Sequence, residues 1–127
     1  MAGLTNLHEI LGALRPSVRT GRFVVVSSPT PPDVDAQARI VEEEGTTLIL
    51  TQDAADAAGL PYDAVFGWIT LEVHSSLEAV GLTAAVSTTL AQAGISCNML
   101  AGYFHDHLLV PVDRLDDALS LLRRLAG

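Results

Sequence analysis

The fold is decided by the stretch FGWITLEV, from Phe66 to Val73, which reads as a buried strand that leads towards a helix. Its β-branched and aromatic residues partly follow the alternation that is typical of strands. Beyond it, Gly81 opens a helix in which apolar residues recur at helical spacing. The glycine leaves backbone N–H groups uncovered at the positive end of the helix dipole, where a small carboxylate is favoured. The apolar helix positions are Leu82, Val86, Leu90 and Ala93.

The second half of the chain continues with a hairpin and a second amphipathic helix. The hairpin strands are predicted at Ile95–Ala101 and His107–Pro111, and Asp113 is expected to cap the helix that follows. Strand, helix, hairpin and helix in this order form a split βαβ arrangement. The core positions of the last helix are Leu115, Ala118, Leu119, Leu122 and Leu125.

The first half carries helix and strand signals of its own. Glu44-Gly45 is a two-residue connection with glycine where a positive φ is needed, which favours a hairpin between the flanking segments. The first flank, Ala38–Glu43, contains good helix formers, so a helix is the alternative to a strand there. The predicted elements are a helix at Leu4–Leu14 stopped by Pro16, a strand at Arg22–Ser27, strands at Ala38–Glu43 and Thr46–Thr51, and a helix at Gln52–Ala58 that ends before Gly59 and Pro61.

Three phrases of the sequence resemble the ACT domain, a ferredoxin-like regulatory module that binds amino acids. They are VGLTAAVSTTLAQAGISCNML at residues 80–100, HSSLEAVGLT at residues 74–83 and EEGTTL at residues 43–48. The resemblance is closest to small stand-alone bacterial tandem-ACT proteins. It extends to the ACT repeats of aspartate kinases and of the arginine-sensing CASTOR proteins.

The resemblance implies an α+β fold of two ferredoxin-like (βαββαβ) ACT units in tandem, with helices on one face of an antiparallel sheet. The N-terminal ACT-like half is residues 1–61 and the C-terminal ACT domain is residues 62–127. An ACT unit normally has a fourth strand, which the second half lacks after its last helix. The missing strand comes from the N-terminal half, from a partner subunit or not at all. Exchange of strands between the two halves is the simplest arrangement, because an unpaired edge would invite aggregation.

The resemblance also implies a ligand site at the start of the Gly81 helix. Backbone groups there would hold the carboxylate and ammonium of an amino acid, and the amide of Asn98 on the following strand would donate and accept hydrogen bonds. The alternative is that Gly81 only permits a tight turn and Asn98 bonds a neighbouring loop. The expected ligand-binding residues are Ser75 and Ser76 in the closing loop, with Val80, Gly81, Leu82, Thr83 and Asn98.

Composition excludes several classes of function. The chain has 127 residues, 49% of them hydrophobic, which is enough to fill a core. Its formal net charge of -8 repels phosphate backbones and anionic lipids, so neither nucleic-acid nor membrane binding is expected. Its one cysteine, Cys97, cannot form an internal disulfide and is expected to be a buried hydrophobic residue. With no signal-peptide or membrane-spanning pattern, we expect a cytoplasmic protein.

Two clusters contain side chains that are typical of metal or catalytic sites. His105-Asp106-His107 has side chains that ligate zinc or iron, but a polar hairpin tip is the simpler interpretation. His74-Ser75-Ser76 places histidine beside serine, yet neighbouring side chains of an extended segment point apart and no carboxylate orients them. The sequence therefore predicts no catalytic residue, no metal site and no cofactor.

The Gly81 helix, predicted from Leu82 to Ala93, contains no charged residue. Its outward positions Ala84, Ser87, Thr88 and Ala91 are small, which favours close association with another helix or subunit, although a weakly polar exposed face is the alternative. We expect a noncatalytic amino-acid sensor that forms a homodimer or larger homo-oligomer and acts through an unidentified protein partner. The alternatives are a ligand-free interaction module of ACT fold and, third, a small metal-dependent enzyme.

Overall fold

The computed structural model describes residues 6–73 and 80–127, so the predictions on Leu4 and on Ser75 and Ser76 lie outside the described residues. No helix within these two ranges is long and apolar enough to cross a membrane. The helices and strands are α1 (Leu7–Ala13), β1 (Arg15–Ser28), β2 (Ala38–Glu42), β3 (Gly45–Thr51), α2 (Gln52–Ala57), β4 (Phe66–Glu72), α3 (Leu82–Gln92), β5 (Asn98–Ala101), β6 (Asp106–Pro111), a short 3-10 turn (Val112–Arg114) and α4 (Leu115–Ala126).

The chain divides into two compact units that do not follow its consecutive halves. The first unit combines residues 1–20 with residues 67–127, and the second is residues 21–66. In the first unit the strand order is β1-β4-β6-β5, with β1 contributing its first residues. If β4, β5, β6 and β1 are counted as strands 1 to 4 of a ferredoxin-like unit, this is the usual 4-1-3-2 order. The fourth strand, β1, comes from the N-terminal part of the chain. The expected sharing of strands is therefore confirmed.

Helices α1, α3 and α4 of the first unit pack on one face of its sheet. Alternate residues of β4 and β6 point to these helices, whereas the intervening Trp68 and Leu109 are buried outside this core. Helix α1 is capped by the side chain of Asn6, and it contributes Ile10 to the core. The buried core residues are Ile10, Leu14, Ile69, Leu71, Val73, Leu82, Val86, Leu90, Ile95, Leu108, Val110, Ala118 and Leu122.

The second unit has the strand order β2-β3-β1 and one helix, α2, which the side chain of Thr51 caps. Both strand pairs are antiparallel, with Val25 opposite Ile49 and Ile40 opposite Thr47. Strand β2 confirms the strand alternative for this segment over the helical one. The buried core residues of this unit are Val24, Val26, Leu48, Leu50 and Ala55.

Strand β5 begins at Asn98 rather than Ile95, and Leu121 rather than Leu119 packs against the described core of the first unit. Three further details of the sequence prediction were wrong. The hairpin connection is Glu43-Glu44, not Glu44-Gly45, because Gly45 already pairs with Glu42. Gly45 is needed at the start of β3 because the chain passes close to it: a Cβ on Gly45 would lie 3.0 Å from the backbone of Ser28.

The other two errors concern element ends. Strand β1 begins at Arg15 rather than Arg22, because the extended conformation that Pro16 favours in the residue before it continues into the strand. Asp113 does not cap the last helix: it lies in a 3-10 turn, the N-cap is Arg114, and no side chain caps the helix. Arg114 instead pairs with Asp117, at 3.1 Å between Nε and Oδ2.

Candidate functional site

Helix α3 begins directly after Gly81, as the sequence predicts. Gly81 is the N-cap residue with φ 107° and ψ -21°, a left-handed conformation that favours glycine. Its carbonyl oxygen accepts a hydrogen bond from the N–H of Ala85 at 2.9 Å, which begins the helix. Among residues 6–73 and 80–127, no side chain caps the helix, and its first turn contains no acidic residue. Within this described part of the chain, the first N–H groups of the 11-residue helix have no side-chain acceptor.

The residues around this entrance differ in exposure. Val80 is 82% exposed and Thr83 is exposed, whereas Leu82 is buried in the core of the first unit. Leu7 of α1 lies close to Gly81, since a Cβ at position 81 would be 3.0 Å from its Cδ2 atom. The entrance is therefore bordered by an apolar side chain of the N-terminal helix, a neighbour that local sequence patterns do not reveal.

Asn98, the remaining described site residue, is the first residue of β5 and pairs with Leu109 of β6. Opposite residues of an antiparallel pair share a face, so the Asn98 side chain lies on the face away from the helices. Met99, one residue on, packs against the core beneath the helices. The Asn98 side chain is exposed and forms no hydrogen bond with any described residue.

Gly81 and Asn98 are attached to opposite ends of α3. The helix has 11 residues and is about 16 Å long. After it ends, the N–H of Ile95 donates to the carbonyl of Leu90, which holds the following residues at the C-terminal end of the helix. The structure thus brings Val80–Thr83 together at one end of α3 and places Asn98 beyond the other.

A second polar cluster joins β4 and β6 on the face away from the helices. The indole Nε1–H of Trp68 donates to Nδ1 of His107 at 3.1 Å, and Oγ1 of Thr70 lies 3.0 Å from the same nitrogen. The guanidinium carbon of Arg19 lies 4.1 Å from the centroid of the Trp68 ring. The sequence analysis missed this cluster. Alternation places Trp68 and Thr70 on one face of β4, but only the sheet order brings His107 to them.

The cluster holds His107 in its neutral form. Burial lowers the pKa of His107, and the positive charges of Arg19 and His105 lower it further, while the carboxylate of Asp106 opposes them. Burial raises the pKa of Asp106, an effect that His107 partly offsets. Within residues 6–73 and 80–127, no group of three or more acidic, histidine or cysteine side chains has the geometry to hold a metal ion.

Cys97 behaves as a small hydrophobic residue. It is half-buried against the core of the first unit, and its thiol lies 3.5 Å from the sulfur of Met99. Burial raises the pKa of the Cys97 thiol, which disfavours the reactive thiolate. The expectation from its apolar sequence context is confirmed.

Two open pockets, one in each unit, are lined by described residues that lie away from the start of α3. In the first unit, one is lined by Leu14, Arg15 and Pro16 after α1 and by Arg123 near the end of α4. In the second unit, a pocket is lined by residues 25–27, Thr47 and residues 61–63. Neither contains Val80–Thr83 or Asn98.

Comparison with solved structures identifies close and distant relatives. A Vibrio cholerae protein of unknown function, described as a possible transport protein, is 40% identical and has a TM-score of 0.87, over 95% of this chain and 96% of that one. A protein from Agrobacterium tumefaciens is 18% identical with a TM-score of 0.67, over 89% of both chains. The ligand-free regulatory subunit of aspartate kinase from Thermus thermophilus is 10% identical with a TM-score of 0.61, over 89% of this chain and 98% of that one.

The similarity to the Agrobacterium tumefaciens and Thermus thermophilus proteins shows only a shared fold. Among curated proteins, none matches the chain. One ACT domain family model matches residues 2–67, and a second matches residues 64–124. The chain therefore belongs to the ACT domain family.

Proposed function

We propose that this protein is a noncatalytic regulatory protein that binds a small molecule, an amino acid, at the start of α3. Membership of a family of regulatory ligand-binding domains supports the regulatory role. The observation that carries the proposal is the uncapped N-terminus of α3 behind the left-handed Gly81. We assign the protein to the cytoplasm. We also assign the two ACT repeats of the sequence to residues 1–61 and 62–127, between which the two compact units exchange segments.

The chemistry of the site follows from its exposed backbone. A ligand carboxylate accepts hydrogen bonds from the free N–H groups of the first turn and is favoured by the positive end of the helix dipole. Leu7 provides an apolar wall beside Gly81. Ser75 and Ser76 precede Val80 in sequence, and we propose that they also contact the ligand.

In this proposal, the amide of Asn98 contacts a ligand that is bound at the Gly81 end of a second ACT unit. A bound amino acid is much shorter than α3, so the amide of Asn98 does not reach a ligand at the Gly81 end of the same helix. An Asn98 side chain from a second copy of the chain meets the requirement, which makes a homo-oligomer part of the proposed site. A further, unidentified protein would then respond to ligand occupancy, since no catalytic group is assigned to this chain.

The experiment is a thermal-shift screen of the purified protein against the twenty amino acids, followed by calorimetry with each that raises the melting temperature. At saturation of about 100 times Kd, a ligand contributes about 2.7 kcal/mol of stability. No shift with any of them would refute the proposed ligand class and favour a ligand-free interaction module of the same fold.

Thr83→Asp separates binding from folding. Thr83 is exposed in the first turn of α3, where a carboxylate stabilises the helix by about 0.3–1 kcal/mol. The same carboxylate repels a ligand carboxylate and competes for its N–H donors, so we expect affinity to fall by roughly tenfold to a hundredfold while stability holds. Ser120→Asp, an equal charge change at an exposed position of α4, is the matched control and should bind normally.

Asn98→Ala tests the second wall of the site. It removes an exposed amide that has no described partner, so the fold should be unaffected while affinity falls by about 1–3 kcal/mol. Gly81→Val is a poorer test, because the positive φ and the neighbouring Leu7 oppose any side chain there and the substitution strains the fold. Normal ligand binding by both Thr83→Asp and Asn98→Ala would show that the site has been assigned to the wrong residues.

A further inference from the structure

The hydrogen bonds of His107 fix where its proton lies. An indole N–H only donates, so Nδ1 of His107 must carry a free lone pair to accept from Trp68 at 3.1 Å. The hydroxyl of Thr70 lies 3.0 Å from the same nitrogen. The proton of the neutral ring is therefore on Nε2. Trp68 is only 2% exposed, so water does not readily replace His107 as an acceptor for the indole.

Of the charged groups around His107, all except Asp106 disfavour a second proton on its ring. From β1, Arg19 lies over the Trp68 ring and its charge acts on His107, as does that of His105 in the hairpin. The carboxylate of Asp106 is the only opposing charge among the described neighbours, and its influence is the weakest. Strand β4 contributes the uncharged Trp68 and Thr70.

The hairpin loop fits closely around the other side of the ring. A Cβ at Gly102 would lie 3.2 Å from Nε2 of His107 and 2.7 Å from the carbonyl oxygen of His105. The N–H of Gly102 donates to that carbonyl at 2.9 Å. The orientation of the His107 ring is thus coupled to the backbone of residues 102–105, which carries the exposed side chains of Tyr103 and Phe104.

We propose that protonation of His107 at Nδ1 is an acid-sensitive switch that breaks the hydrogen bond from Trp68 and rearranges the β5–β6 hairpin loop. The added N–H faces the indole N–H, so two donors oppose each other where one hydrogen bond stood. The new positive charge also faces Arg19 and His105. Both effects drive the ring away from Trp68 and towards Gly102, so the hairpin loop has to rearrange.

The experiment uses the intrinsic fluorescence of Trp68, the single tryptophan of the chain, between pH 8 and pH 4. Wild-type protein should show a change in emission with a midpoint below 6.5, the ordinary pKa of histidine. His107→Asn keeps an acceptor oxygen near the position of Nδ1 and does not titrate, so its emission should stay constant. Circular dichroism over the same range separates this local change from unfolding.

Two further variants test the switch by the direction in which they shift the pH midpoint of the Trp68 emission change. Arg19→Gln and His105→Asn each remove a positive charge that opposes protonation of His107, so each should move the midpoint upward. His8→Asn removes an exposed histidine of α1 and should leave the midpoint unchanged. If His107→Asn does not fold, the two upward shifts and the 15N chemical shifts of the His107 ring still decide the question. A transition that persists in folded His107→Asn, a flat wild-type profile or a downward shift in Arg19→Gln would overturn the proposal.

Discussion

Gly67 of β4 lies directly against Leu115, the first residue of α4. A Cβ at position 67 would be 2.7 Å from both Cδ1 and Cδ2 of Leu115 and 3.0 Å from its Cγ. Only glycine permits this approach of strand and helix without displacing the leucine. We expect Gly67→Ala to lower the free energy of unfolding by about 1–3 kcal/mol, measured by urea denaturation.

Leu115, the contact partner of Gly67, and a second glycine, Gly12, provide the controls. In Leu115→Ala protein, the added methyl group at position 67 should cost much less than in the wild type, because the two positions are coupled. Gly12→Ala in α1, where a Cβ meets nothing within 4 Å, should instead stabilise the protein by about 0.5–1 kcal/mol. Equal costs of Gly67→Ala in both backgrounds would contradict the contact.

The fragment 62–127 should not fold by itself. It lacks the first residues of β1, which lie next to β4, and α1 with the fully buried Ile10 and Leu14. Losing the burial of these two side chains costs about 4 kcal/mol, a large part of the stability of a small domain. We expect a fragment without a cooperative melting transition.

A circular permutant tests the same arrangement positively. Residues 62–127, joined by a flexible linker of about ten residues to residues 6–20, restore α1 and the missing strand. Leu14, after α1, and Ala126 line the same pocket, so the linker has to span little more than the length of α1, about 10 Å. The permutant should melt cooperatively. A soluble, monomeric 62–127 fragment with a sharp transition would show that the shared strand is dispensable.

Asp106 should weaken the fold at neutral pH. Burial raises its folded pKa above the ordinary value of 3.8, so the folded state binds its proton more tightly than the unfolded state. Its contribution to stability therefore increases as pH falls through the folded pKa towards 3.8, and is unfavourable at pH 7. Asp106→Asn should be more stable than wild type at pH 7, by urea denaturation, and this advantage should shrink on acidification. An advantage that grows with acidity would contradict the assignment.

The uncharged outer face of α3 should mediate self-association. Ala84 and Ala91 are exposed on this helix, which carries no charge along its length. We expect sedimentation to show a homodimer or larger even-numbered assembly at micromolar concentration, and Ala84→Arg to weaken it at least tenfold. Ser120→Arg, on α4, should leave it intact. A wild-type monomer at about 100 micromolar would exclude this interface.

Local patterns in the sequence determined much of the fold. The alternation in β4, the helical spacing in α3 and the position of Gly81 before α3 each involve residues a few positions apart, and they were found as predicted. The helical spacing in α4 was also found, except at Leu119. These signals are readable because burying one face of a strand or helix imposes a period on the side chains nearest in sequence.

Tertiary structure alone decided the relations between distant segments. The place of β1 beside β4, the face of β5 on which Asn98 lies and the bond between Trp68 and His107 all depend on strand order and cross-strand register. Register is set by pairing between residues that are far apart in sequence, and a slip of one residue would turn every side chain to the other face. The sequence by itself therefore specified the elements and the entrance to α3, while packing determined which residues stand beside one another.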